Sequence, residues 1–240
     1  MNYFIREIEI MDGSSRTAGV KARDDVSEIL ASMGFEALVI EDMGTGRKGA
    51  SAAESLRLHK KVRRLWEEAL APLGRGDKVL IQFPVIGHSV FIASAVRKAQ
   101  RNGVKIILLI HDLETLRAAL LGGTPLKKRL RLRLEEKSLL SCCDKMIVHN
   151  SRMAEKLAEL GFSRGKMVEL GIFDYLAAGE ASADGRFEKD GPVVIAGTLR
   201  RHKAGYVYEL PKSPEFRLYG VGYEEGGREN VSYMGAFEPA

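Results

Sequence analysis

The segment Val104–Ile110, VKIILLI, constrains the fold more than any other stretch, because a single lysine interrupts an otherwise unbroken aliphatic run. A strand that is apolar on both sides must be covered on both sides, as a parallel strand between helical layers is. The surrounding sequence supplies those layers. Tyr3–Ile10 reads as a strand, followed by the polar loop Met11–Gly19 and a helix from near Ala22 with Val26, Ile29, Leu30 and Met33 on one stripe. Gly34 is placed to end that helix, and Ala37–Ile40 is a short second strand. Gly44–Gly49 reads as an exposed basic loop.

The alternation continues with a helix over Leu56–Leu73, a strand over Val79–Phe83 stopped by Pro84, and a helix over Phe91–Asn102 closed by Gly103. After the apolar strand come a helix over Leu126–Cys142, a strand over Lys145–His149, a helix capped by Ser151 and running to Leu160, and a strand over Lys166–Leu170. This order predicts an α/β protein with a doubly wound, mainly parallel, Rossmann-like sheet.

Composition changes near Leu176. Residues 1–176 read as one lobe, and 177–191 (AAGEASADGRFEKDG) as a small, polar linker. Residues 192–240 open a second Rossmann-like lobe with a strand over Val193–Ala196, a helix around Tyr206–Leu210, and strands over Phe216–Gly220 and Asn230–Met234. About 50 residues are too few for an independent α/β domain, so the second lobe is expected to be truncated.

Hydrophobic residues make up 45% and charged residues 29%, which excludes collagen-like, mucin-like and wholly disordered chains. No apolar run approaches the roughly 20 residues of a membrane span, and MNYFIREIEI does not resemble a signal peptide. The two cysteines, Cys142 and Cys143, are adjacent and unsuited to an ordinary mutual disulfide, so a reduced, cytoplasmic protein is expected. The net charge of +5 permits phosphate-bearing partners without pointing to nucleic acid.

In an open parallel sheet, ligands collect beyond the C-terminal strand ends. Gly19, Lys21 and Arg23 follow the first strand at a helix start, where close backbone approach and positive charge suit a phosphate. Gln82 ends the third strand, with His88 in the loop beyond it. His111, Asp112 and Glu114 leave the apolar strand; this trio suits general-base work or hydroxyl recognition, although Asp112 also suits a helix N-cap. Asn150 or Ser151 suits a cap. Thr198, Arg200 and Lys203 follow the first strand of the second lobe and suit a phosphate. No HExxH, DxD or paired CxxC is present, so a metal site is not expected. Two basic stretches, Arg57–Arg64 and Lys127–Arg133, read either as solvated faces or as rests for anionic lipid headgroups.

The strings AGVKARDDV, QFP, LLIHDLETLR, VHNSRM and VELGIFDYL resemble bacterial GT-B glycosyltransferases of the galactofuranosyltransferase/glucosyltransferase-3 type. IAGTLRRHKAGYVYELP and FRLYGVGY resemble the opening of that family's donor-binding lobe. The resemblance implies a two-lobed, metal-independent enzyme with no cofactor. It would move a hexosyl group from a UDP-sugar to a hydroxyl of a glycan or lipid-linked acceptor in cell-surface polysaccharide or glycoprotein assembly.

Carried over motif by motif, the resemblance puts Gly19, Lys21 and Arg23 near the donor phosphates or the acceptor. It puts His111, Asp112 and Glu114 in the acceptor pocket, and Thr198, Arg200 and Lys203 near the nucleotide diphosphate. Asp112 is the expected base, with His111 next. Family members continue beyond this length, through units that hold the nucleoside. Peripheral contact with an anionic membrane and homo-oligomerisation are compatible with this reading.

Two alternatives stay open. A Rossmann oxidoreductase or epimerase would need GxGxxG after the first strand, and that motif is absent, although Glu41 and Asp42 follow the second strand. A non-catalytic partner subunit of a glycosyltransferase complex would bind no UDP.

Overall fold

The computed structural model describes residues 1–8, 18–41, 51–116, 125–171, 176, 191–224 and 228–236, with residues 18, 19 and 128 described by their backbone alone. The loop over 44–49, most of the loop over 11–19 and most of the linker at 177–191 lie outside the described residues. The chain divides into two units, Met1–Tyr175 and Leu176–Ala240.

In the first unit six strands, β1 (Asn2–Ile8), β2 (Glu36–Glu41), β3 (Lys78–Phe83), β4 (Lys105–Ile110), β5 (Lys145–Val148) and β6 (Met167–Glu169), form one sheet in the order β2-β1-β3-β4-β5-β6. Every pairing is parallel. The helices are α1 (Ala18–Ser32), α2 (Ala52–Leu70), α3 (Ile92–Arg101), α4 (Leu126–Leu140) and α5 (Ser151–Glu159).

The chain steps outward from β1 to β2, then jumps back over β1 to β3. Right-handed crossovers therefore send α1 to one face and the later helices to the other. Residue alternation follows. Phe4, Leu80 and Leu109 pack with Val26 and Leu30 of α1. Ile5, Val79, Ile81, Ile106, Leu108, Ile110, Met146 and Val148 pack with Val62 and Trp66 of α2, Val96 of α3, Leu139 of α4 and Leu157 of α5. Ile106, Leu108 and Ile110 are fully buried, and Leu109 on the opposite face is nearly so, as the apolar run requires.

Several boundaries differ from the sequence expectation. Helix α1 begins at Ala18 rather than near Ala22, so Gly19 and Lys21, expected ahead of the helix, lie with Arg23 within its first turns. It ends in a Schellman turn: Gly34 at φ +81° donates to Ala31, and Phe35 donates to Leu30 at 3.0 Å. Helix α2 starts at Ala52 because Ser51 and Glu54 form a reciprocal capping box. Helix α5 is capped by Asn150, whose Oδ1 accepts from Met153 N at 3.0 Å, while Ser151 is the first helical residue.

The second unit contains β7 (Val193–Thr198), β8 (Phe216–Val221) and β9 (Val231–Gly235), parallel in the order β7-β8-β9. The helix expected around Tyr206–Leu210 is instead α6 (Arg201–Ala204) followed by a 3₁₀ turn over Gly205–Tyr208. Leu199, Ala204, Val207 and Leu218 form its core. Gly197 and Gly220 face each other in register at φ +141° and +144°. A Cβ on Gly220 would overlap the Gly197 carbonyl.

Candidate active site

The sequence reverses direction across the sheet between β1 and β3, so the C-terminal ends of these strands form the topological switch point where α/β proteins bind ligands. Glu7, near the end of β1, accepts from Ile86 N at 2.8 Å and Gly87 N at 3.2 Å. It thereby ties down the loop that follows β3. Arg23 of α1 donates to the Pro84 carbonyl of the same loop.

Gln82 links the strands to α1. Its Nε2 donates to the Arg23 carbonyl at 3.1 Å and to Ser27 Oγ at 3.3 Å, and Ser27 Oγ donates to the Arg23 carbonyl at 2.8 Å. Its Oε1 lies 2.8 Å from His111 Nε2, and the His111 ring stands 6.2 Å from that of His149 at the end of β5. Burial, then the positive charges of Arg23 and His149, push the His111 pKa down to about 4. His111 is therefore a neutral imidazole near pH 7. Lys21 pairs with the buried Asp25 at 3.0 Å, one helical turn along α1.

Asp112 Oδ1 accepts from Leu113 N at 2.7 Å, heading a helical turn over 114–116. Glu114 meets His88 Nδ1 at 3.6 Å, and His88 holds a left-handed φ of +35°. These two residues open a small cleft of about 20 Å³, bordered also by Pro84, Ser89, Glu135 and Glu136. That volume fits about one water-sized group.

The Glu135 side chain is only 9% exposed. It sits 3.3 Å from Arg131 Nε, yet neither of its oxygens accepts a well-formed hydrogen bond among the described residues. Burial raises its pKa to about 7 against the attraction of Arg131, and Glu114 and Glu136 push it further up. Glu136 accepts from Thr115 N at 3.1 Å, and its pKa is raised by burial.

The residues picked from sequence thus divide. Arg23, Gln82 and His111 form one hydrogen-bonded group with α1, whereas Glu114 joins His88 and the carboxylates of α4. Gly19 and Lys21 are on α1, where Lys21 pairs with Asp25. Ser27, His149, Glu7 and Glu135 were not picked. The Glu135-Glu136 pair was visible as two acids in an otherwise basic helix, three and four residues beyond the buried Leu132.

In the second unit, Thr198 is the exposed last residue of β7 rather than a loop residue, and Arg200 and Lys203 follow it, both exposed. The Arg201 guanidinium lies 4.3 Å over the Tyr208 ring. Among the described residues, no three His, Cys, Asp or Glu side chains are grouped so as to hold a metal ion. Also among them, no helix is long and apolar enough to cross a membrane.

Residues 2–172 match the model of the glucosyltransferase 3-like N-terminal domain. The chain belongs to the glucosyltransferase 3-like family. It is 27% identical over 237 residues to the beta-1,6-galactofuranosyltransferase WbbI of Escherichia coli (strain K12). That alignment takes in 98% of the chain but only 62% of WbbI, so the chain spans less than two thirds of that relative. The apo form of the lipopolysaccharide outer core galactosyltransferase WaaB shares the fold with a TM-score of 0.53 at 14% identity, over 99% of this chain and 68% of that one. With its two parallel sheets, the chain has the GT-B fold class expected from sequence.

Proposed function

We propose that this glucosyltransferase 3-like protein transfers a hexosyl group (galactofuranose, galactose or glucose) from a UDP-sugar to a hydroxyl of a glycan or lipid-linked acceptor. The setting is the assembly of cell-surface polysaccharide or glycoprotein. One observation carries this reading: the family match covers the residues that gather Arg23, Gln82, His111, Asp112 and Glu114 at one sheet edge. The name of WbbI, a galactofuranosyltransferase, supports the hexosyl class. The buried, free cysteines Cys142 and Cys143 support a reducing, cytoplasmic setting.

The first unit offers the acceptor side. As the acceptor oxygen bonds to the anomeric carbon, the bond from that carbon to UDP breaks and UDP leaves with the electron pair. The acceptor proton passes to Asp112, and neutral His111, held by Gln82, orients the acceptor by hydrogen bonding. Gly19, Lys21 and Arg23 place positive charge and helix N–H groups near the sugar or its phosphate. In the second unit, Thr198, Arg200 and Lys203 balance the charge on the departing diphosphate, so the scheme needs no metal ion.

One observation favours Glu135 over Asp112 as base: it is a buried carboxylate lining the Glu114 cleft, with a pKa of about 7. Comparing the Asp112→Asn and Glu135→Gln variants separates them. The true base loses roughly 10²–10⁴-fold in kcat while the other loses less than about tenfold. If neither variant loses tenfold, the acid–base assignment at this edge is wrong.

A further inference from the structure

Helix α4 carries two apolar faces. Leu132 and Leu139 are buried against the sheet side, while Leu126, Leu130 and Leu134 are 80%, 57% and 55% exposed. At 3.6 residues per turn, the exposed leucines fall within a sector of about 80°, roughly opposite Leu132. Around them the helix presents Lys127, Arg129, Arg131, Arg133 and Lys137, all exposed, and its two acidic residues are turned to the covered side.

The other basic helix differs in part. On α2, two of the five basic residues have carboxylate partners, Arg63 with Glu67 at 2.8 Å and Arg64 with Glu68 at 2.7 Å, and Leu56 is its one exposed large hydrophobic residue among the described residues. On α4, Arg131 pairs with Glu135, but Lys127, Arg129, Arg133 and Lys137 have no carboxylate partner among the described residues.

We infer that the outer face of α4 docks on an anionic phospholipid surface. An aliphatic stripe flanked by long cationic side chains suits the boundary between headgroups and acyl chains: the leucines enter it and the basic heads reach back to the phosphates. A second copy of this chain is disfavoured as occupant, because pairing two such faces brings like charges together. Each basic residue at an anionic surface strengthens partitioning about fivefold, so several unpaired ones suffice for reversible attachment. This inference is independent of the proposed catalytic step.

The test is flotation of the chain with phosphatidylcholine vesicles, with and without phosphatidylglycerol, alongside size-exclusion light scattering. The expected result is co-flotation with the anionic vesicles, at least about tenfold stronger than with neutral ones and weakened by salt. The Leu126→Gln/Leu130→Gln/Leu134→Gln variant and, separately, the Lys127→Gln/Arg129→Gln/Arg133→Gln variant each lose about tenfold or more while keeping the wild-type thermal transition. These substitutions are on exposed positions, so folding is retained. The inference is overturned if the wild type does not float, if it floats equally with both vesicles, or if either variant binds undiminished. A leucine-dependent dimer that ignores vesicles also overturns it, by making this face an interface between copies.

Discussion

Gln82 Oε1 lies 2.8 Å from His111 Nε2, and the amide nitrogen of the same side chain is spent on Arg23 and Ser27. Because a carbonyl oxygen only accepts, Nε2 of the neutral imidazole must carry the proton and Nδ1 the lone pair. A strand residue thus sets the tautomer of the imidazole one strand over, and α1 sets the strand residue.

Replacing Gln82 with Glu puts a negative charge against Nε2–H. The His111 titration then moves upward from about 4 toward neutral pH, as NMR of the imidazole would record. Replacing it with Leu strands the polar partners and costs about 1–3 kcal/mol of stability. In the wild type, the unfolded chain takes up a proton on this histidine below its ordinary 6.5, while the folded chain resists until about 4. His111 therefore makes stability fall as pH drops through that window. An unshifted His111 in Gln82→Glu, or undiminished stability in Gln82→Leu, contradicts the network.

Glu135 acts with the opposite sign. Folded, it keeps its proton up to about 7, whereas the unfolded chain releases it near 4.5. Stability therefore declines as pH rises from 4.5 to 7, and Glu135→Gln removes that decline. Chemical denaturation of both proteins across this range is the measurement, and parallel curves would rule the prediction out.

Gly220→Ala must separate β7 from β8, because the added methyl meets the Gly197 carbonyl. The expected cost is about 3 kcal/mol or more, confined to the second unit. Hydrogen exchange should accelerate in residues 193–198 and 216–221 while β3 and β4 keep their protection.

Ser51→Ala breaks the capping box, in which Ser51 Oγ accepts from Glu54 N and the Glu54 carboxylate accepts from Ser51 N at 2.8 Å. The expected loss is about 1 kcal/mol, read from the denaturation midpoint. Trp66→Ala, which empties a fully buried site beneath the same helix, costs about 3–5 kcal/mol.

The parallel sheet was legible because its evidence is local: an apolar run such as Val104–Ile110 and glycine stops such as Gly34 need no knowledge of distant residues. Positions at strand ends were legible for the same reason, and Gln82, His111 and Arg23 do meet. What was not legible depends on side chains brought together across the sequence. Glu7 clamping Ile86 and Gly87, and Glu114 meeting Glu135, follow from strand order and from the rotation of α4. The start of α1 at Ala18 was not legible because AGVKARDD lacks an apolar stripe in its first turn, whereas the Ser51–Glu54 spacing is a capping-box signal that the sequence carries openly.

The most direct measurement is mass spectrometry of products after the purified protein is incubated with a panel of UDP-sugars and glycan or lipid-linked acceptors. The expected result is an acceptor carrying one additional hexosyl residue, with formation falling by roughly 10²-fold or more in Asp112→Asn or, if Glu135 is the base, in Glu135→Gln. Absence of hexosyl product from every donor, or product formation untouched by both substitutions, would contradict hexosyl transfer at this sheet edge.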